Sequence, residues 1–210
     1  MAIIIVDYGA GNIRNVMKAI EYTGLNVKVS QDPAEIAAAD GLVVPGVGAF
    51  ASAMDKLRER NLVEPIKQFS NSGKPLLGVC LGMQLLFDSS TEFGETRGLG
   101  LIPGQVVELP KQENYKVPQM GWNQNKVSQI NQITRTMNDK YTYCVHSYYA
   151  VTDSKYIAAT VNYGKVDVPS VVVNKNVMKW EKMYDVSRNL FSKCSISSPL
   201  SRGLLKRNHN

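Results

Sequence analysis

A chain of 210 residues has room for one large domain or two small ones, and 44% hydrophobic with 20% charged residues is a globular composition. It excludes a wholly disordered, collagen-like or disulfide-rich miniature chain. The formal net charge of +6 sits at one end: residues 1–173 hold 16 Lys and Arg against 16 Asp and Glu, residues 174–210 hold 8 against 2.

A nucleic-acid-binding fold spreads basic residues over one face among aromatic or recognition-helix partners; the neutral body has no such pattern, so no nucleic-acid partner is expected. No apolar run reaches about 18 residues, and Met1 leads into a short apolar burst ending at Asp7 rather than a basic segment, so neither membrane span nor signal peptide is expected. Cys80, Cys144 and Cys194 are widely spaced with no CxxC pair, and the histidines are His146 and His209. That pattern supports no disulfide framework, no metal centre and no cofactor, and it points to a cytoplasmic protein with reduced thiols.

Ala2–Asp7 is a continuous apolar run ending in Tyr8-Gly9-Ala10-Gly11, which suits a strand buried on both faces of a parallel sheet. Asn12 is read as a helix cap, and Ile13, Val16, Met17 and Ile20 recur at helical spacing through Tyr22, with Gly24 closing the helix. The unit repeats: Asn26–Val29 reads as a strand, Asp32-Pro33 opens a short helix through Ala38, and Gly41–Val44 is a strand leading into Pro45-Gly46-Val47-Gly48. Ala51–Arg60 and Val63–Ser70 read as helices, Leu76–Val79 as a strand, and Cys80 as the start of a helix through Phe87. This alternation predicts an α/β fold, a doubly wound, mostly parallel sheet with helices on both faces and ligands at the carboxyl ends of the strands. Beyond Gly98, Gln105–Leu109, Tyr141–Val145, Tyr156–Val161 and Val168–Val173 read as further strands of the same domain.

Gly78-Val79-Cys80-Leu81-Gly82 stands at a strand-to-helix junction and has the form of a nucleophile elbow. Small residues two positions either side permit the strained turn, the following N–H faces a developing oxyanion, and a helix N-terminus raises the thiolate fraction. A buried core cysteine beside packing glycines is the competing reading. Pro45-Gly46-Val47-Gly48-Ala49 ends a neighbouring strand, and its backbone N–H groups can approach a substrate; a simple turn or phosphate cradle has the same local look, though the Lys-Ser/Thr of a P-loop is absent. Met120-Gly121-Trp122-Asn123 is read as a turn with an interface role for Trp122, and Tyr141 and Tyr149 as aromatic core.

At these residues the chain resembles the class I glutamine amidotransferases, from residue 2 to about Met178. Gly-x-Cys-x-Gly followed by Met83-Gln84 is shared across that superfamily. Asp7-Tyr8-Gly9-Ala10-Gly11-Asn12, Met120-Gly121-Trp122-Asn123 and Val145-His146-Ser147-Tyr148 narrow the resemblance to the glutaminase subunits of imidazole glycerol phosphate synthase in histidine biosynthesis. The resemblance implies hydrolysis of L-glutamine through a thioester on Cys80, with ammonia passing to a separate (β/α)₈-barrel cyclase subunit in a heterodimer. It implies oxyanion donors at Leu81 and, after a peptide rearrangement, at Val47, and a glutamine pocket lined by Gly48, Gln84, Ser147 and Tyr148. Asn12, Trp122, Asn123 and Tyr143 match positions facing the cyclase and the ammonia passage, and His146 matches a position near the pocket that is not the catalytic base.

After Met178 the chain departs from the family, whose members continue with Phe-His-Pro-Glu and a closing helix. Here Lys179-Trp180-Glu181 leads into a basic, Ser-rich tail through His209. Residues 1–178 are therefore expected to form the amidotransferase domain and 179–210 a divergent, disordered or irregular tail, leaving the last strand and helix in question. The triad His and Glu are missing, and severe loss of activity is expected, since a positioned base contributes about 10²–10⁴-fold. A change of reading frame after Met178 accounts for the abrupt shift in charge, and marginal stability follows from the lost core contacts. A non-catalytic partner docking on the cyclase, and an unrelated cysteine hydrolase of the same fold, remain as alternatives.

Overall fold

The computed structural model describes residues 2–131 and 133–180. Strand β1 (Ala2–Val6), helix α1 (Ile13–Glu21), β2 (Asn26–Ser30), α2 (Pro33–Ala38), β3 (Gly41–Val44), α3 (Phe50–Glu59), α4 (Val63–Asn71), β4 (Leu76–Val79) and α5 (Leu81–Gln84) reproduce the alternation read from the sequence. Then come β5 (Phe87–Ser90), β6 (Thr96–Arg97), β7 (Ile102–Glu108), β8 (Gln119–Val127), β9 (Tyr141–His146), β10 (Tyr148–Val151), β11 (Ile157–Tyr163), β12 (Val166–Asn174) and β13 (Val177–Trp180).

The main sheet runs β2-β1-β3-β4-β13-β12-β11-β8-β9. Pairings from β2 across to β13 are parallel, and those from β13 out to β9 are antiparallel, so the sheet is mixed. Strands β10-β7-β5-β6 form a second, smaller sheet, so the strands expected beyond Gly98 divide between two sheets.

The apolar runs have no polar alternation because both faces of the parallel strands are covered. Ile4, Val6, Leu42, Val44 and Leu76 face one core with Ile36 of α2, Phe50, Met54 and Leu57 of α3, Ile66 of α4, and Phe87, Ile102 and Val106 of the small sheet. Their neighbours Ile3, Ile5, Val43, Leu77 and Val79 face the other core, with Val16 and Ile20 of α1. The period-two geometry of a strand thus sorts one continuous hydrophobic word into two cores.

Asp32 caps α2 as read, its carboxylate accepting from the Ala34 N–H at 2.8 Å. Asn12 does not cap α1 with its side chain; its backbone carbonyl accepts from Asn15 and Val16 instead. The helix expected from Cys80 to Phe87 is only four residues, Leu81–Gln84. Beyond it the Leu85 carbonyl accepts from Leu99 and the Leu86 carbonyl from Leu101 and Ile102, which draws the chain into β5. A short run buried on every side carries no period that separates helix from strand.

Met120-Gly121-Trp122-Asn123 lies within β8 rather than in a turn, paired residue for residue with β9. Tyr141 is 57% exposed and is no core residue, whereas Tyr149 packs partly buried against Leu109, Cys144, Val161 and Val168.

The boundary drawn after Met178 falls inside β13, whose backbone continues through Trp180 between β12 and β4. The turn entering β13 is fastened by Asn176, whose side-chain amide donates to the Ser70 and Lys74 carbonyls at 2.7 and 2.8 Å. The remainder of the expected tail, with Glu181 and His209, lies outside the described residues.

Candidate active site

Cys80 stands between β4 and α5 with φ 56° and ψ −124°, a conformation that an L-residue adopts only when its surroundings force it. The two flanking glycines supply the force. A Cβ on Gly82 would lie 2.0 Å from the Val44 carbonyl oxygen, and one on Gly78 would lie 2.8 Å from the Gly82 oxygen and 2.9 Å from the Met83 Cα. Only the absence of both side chains lets β4, the bend and β3 approach so closely, and the approach pushes Cys80 out of the sheet plane. The residue is half-buried, packed against the second core and bordering the cavity.

In front of Cys80 opens a cavity of about 470 Å³, within the range for small-molecule sites. Its walls include Val47 and Gly48 from the β3–α3 loop, Leu81 and Gln84 from α5, and Ser147 and Tyr148 from the β9–β10 junction. Every residue assigned from sequence to the nucleophile, the oxyanion donors or the glutamine pocket therefore borders one space. Gln84 is 8% exposed, and its side-chain amide donates to the Tyr148 carbonyl at 3.2 Å, which ties α5 to β10. Because α5 has a single turn, its macrodipole is weak, and the free backbone N–H groups after Cys80 are what remain to favour negative charge.

Sequence reading missed three wall residues of consequence. Glu92 supplies a carboxylate to the cavity and accepts from the Phe50 N–H at 2.6 Å; it sits in the β5–β6 turn, 12 residues past Cys80 and in no recognisable motif. Phe93, 89% exposed with φ 53°, stands at the rim. Pro118 reaches the wall from the segment leading into β8.

His146 also borders the cavity, as its family position suggested. Its Nδ1 lies 3.0 Å from the Tyr148 carbonyl, which can only accept, so Nδ1 is the donor in this contact. Tyr8, fully buried behind the site, donates its hydroxyl to the Pro45 carbonyl at 2.6 Å. Burial, and then the proximity of Cys80, raise its phenol well above the ordinary value of 10.0. Tyr148 is shifted the same way by partial burial and by the carboxylates Glu108 and Glu92, so both phenols are neutral at physiological pH.

Of the residues assigned to a partner surface, Trp122, Asn123 and Tyr143 lie on the β8–β9 pair, while Asn12 precedes α1. Met120 faces Val145 and Trp122 faces Tyr143 across the β8–β9 pair, with the Trp122 and Tyr143 rings in an edge-to-face contact at 5.4 Å. Met120 and Trp122 are 64% and 57% exposed. Asn123 turns to the opposite side and donates to the Gly121 carbonyl. Among the described residues no group of His, Cys, Asp or Glu is arranged to hold a metal ion, and no helix is long and apolar enough to cross a membrane.

Comparison with known proteins agrees with this geometry. The family model for glutamine amidotransferase class-I matches residues 4–174. The chain is 53% identical over 176 residues, 84% of each chain, to the imidazole glycerol phosphate synthase subunit HisH of Lacticaseibacillus casei (strain BL23). It is 52% identical over 174 residues, 83% of each chain, to that of Lactiplantibacillus plantarum. A solved glutamine amidotransferase structure shares the fold with a TM-score of 0.66 at 16% identity, covering 85% of this chain and 88% of its own. An elbow cysteine between two obligatory glycines, opening on a small-molecule cavity, and a match over residues 4–174 identify the chain as a member of the class I glutamine amidotransferase family.

Proposed function

We propose that this chain is the glutaminase subunit of an imidazole glycerol phosphate synthase, taking L-glutamine in the Cys80 cavity and passing ammonia to a (β/α)₈-barrel cyclase subunit. The observation that carries the reading is Cys80 on a positive-φ bend at the wall of a cavity shared with Gly48, Gln84, Glu92, Ser147 and Tyr148.

The chemistry follows from the groups present. The Cys80 thiolate attacks the side-chain amide carbon, and negative charge develops on the amide oxygen. The N–H of Leu81 is one donor for it, and that of Val47 becomes the second once its peptide turns toward the cavity; a donor of this kind contributes about 10²–10³-fold. The Glu92 carboxylate is the counter-charge for the substrate α-ammonium. Collapse of the adduct expels ammonia, which requires a proton, and leaves a γ-glutamyl thioester that water cleaves to glutamate. Asn12, Trp122, Asn123 and Tyr143 are the residues that meet the cyclase, which turns the ammonia into imidazole glycerol phosphate and aminoimidazole carboxamide ribotide. The chain acts in the reducing cytoplasm, where Cys80 stays a thiol.

The family's His and Glu have no counterpart in the sequence after Met178. His146 is engaged with Tyr148 through Nδ1 and is not placed by the family pattern as the base. We therefore read this copy as an impaired glutaminase, slowed about 10²–10⁴-fold at the proton transfers. The test is glutamine-dependent against ammonium-dependent synthesis by the purified complex with its cyclase, beside a Cys80→Ser variant. Slow glutamine-dependent turnover that Cys80→Ser abolishes supports the reading. Equal glutamine-dependent rates in the two proteins, with ammonium-dependent turnover intact, reduce the chain to a docking subunit.

A further inference from the structure

The loop expected to supply the second oxyanion donor is held very unevenly. At its start, the Pro45 carbonyl receives the Tyr8 hydroxyl. Gly46 is packed so tightly that a Cβ there would lie 2.4 Å from the Gly82 nitrogen and 2.8 Å from the Leu81 Cβ. The middle is open: Val47 is 53% exposed, and Gly48, at φ +93°, has nothing within 4 Å of where a Cβ would stand. The far end is fixed again at Phe50, the first residue of α3, whose N–H is bonded to Glu92 at 2.6 Å. No side chain within the loop caps that helix; Ala49 occupies the capping position, and a carboxylate 42 residues away does the work. The same carboxylate borders the cavity beside Val47, Gly48 and Cys80.

We infer that Glu92 is a positioning residue for the oxyanion loop, one carboxylate oxygen holding the Phe50 N–H and thereby setting how far the Gly46–Val47 peptide, which carries the Val47 N–H, can turn toward the reacting carbonyl. This rests on the glutaminase reading and deepens it. With the Gly46 Cα packed and Phe50 tethered, the three residues between them have a fixed span, so a turn of the Gly46–Val47 peptide must be taken up at Val47 and Gly48. Releasing Phe50 lengthens the free segment into the first turn of α3, and the turned position of the Val47 N–H is then no longer defined by the loop's fixed ends. The second Glu92 oxygen remains for a substrate cation, so one side chain couples occupation of the cavity to the readiness of the loop.

The test separates reach from charge. Glu92→Gln keeps an oxygen able to accept from Phe50 but loses the charge, whereas Glu92→Asp keeps the charge and falls short by one methylene, about 1.5 Å. The probe is 5-oxopentanoate, the glutamine skeleton with an aldehyde in place of the amide and no α-ammonium. The Cys80 sulfur bonds to its carbonyl carbon, the C=O π pair moves to oxygen, and the thiol proton ends on that oxygen, giving a thiohemiacetal in the oxyanion site. With the full chain, Glu92→Gln is expected to form the adduct as tightly as the unaltered protein, though it binds glutamine itself more weakly. Glu92→Asp is expected to form the adduct about tenfold less tightly and to exchange the Phe50 amide hydrogen faster. Equal adduct affinity in all three proteins overturns the proposal, as does weakening by Glu92→Gln with Glu92→Asp unaffected. Failure of the unaltered protein to form any adduct, while iodoacetamide still alkylates Cys80, overturns the glutamine-site reading and this inference with it.

Discussion

Replacing Cys80 by glycine is expected to make the protein more stable. Cys80 holds φ 56° and ψ −124°, the mirror image of ordinary extended backbone, where an L side chain is strained by about 1–3 kcal/mol and glycine is at ease. Against that relief stand the greater chain entropy of glycine when unfolded, about 0.5–1 kcal/mol, and the loss of a half-buried CH₂–SH group, about 0.5 kcal/mol. The balance is centred on a gain of about 0.75 kcal/mol, within limits of about −0.5 and +2, and at the centre it raises Tm by about 2–3 °C for a chain of this length. Cys144 is the control: it is fully buried in the regular strand β9, so Cys144→Gly relieves no strain and is expected to cost about 2 kcal/mol. Denaturant and thermal unfolding of both variants, with thiol labelling to confirm which cysteine has gone, measures the difference. A Cys80→Gly protein less stable than the unaltered chain by 1 kcal/mol or more would refute the claim that the fold stores strain at Cys80.

Gly82→Ala is expected to cost about 3 kcal/mol or more, because its Cβ meets the Val44 carbonyl at 2.0 Å and no rotamer relieves a backbone clash; Gly48→Ala, strained only in φ, is expected to cost about 1 kcal/mol, and unfolding midpoints will rank the two. The raised Tyr8 and Tyr148 phenols contribute stability that is intact below the unfolded value near 10 and is lost as pH climbs from there toward their folded values. Unfolding free energy followed through that window is expected to fall, and Tyr8→Phe to flatten the fall; an unchanged slope in that variant would assign the effect elsewhere. Trp122→Ala, at an exposed aromatic pair, is expected to change stability by less than about 1 kcal/mol yet weaken association with the cyclase at least tenfold, read by titration calorimetry.

The elbow shows how function draws on a local rule. Gly78 and Gly82 were legible as a motif because no other residue fits between β4, α5 and the Val44 carbonyl, and the same contacts force the dihedral angles of Cys80. The parallel strands β1, β3 and β4 were equally legible, since a strand covered on both faces must be apolar at every position. That logic fails from Leu85 to Phe87, where burial on all sides erases the period, and hydrogen-bonded partners about 15 residues further on decide that the helix stops.

The sequence by itself determined the bend at Cys80, its flanking glycines and the order of alternating elements, because steric exclusion and double-sided burial act on neighbours along the chain. Only the tertiary structure decided that Met120 and Trp122 stand on an exposed strand face, that Tyr141 is not core, and that Glu92 reaches across 42 residues to cap α3 at the rim of the site. Those outcomes depend on which strands pair and which loop meets which helix. Such long-range contacts leave no periodic mark on the residues that make them.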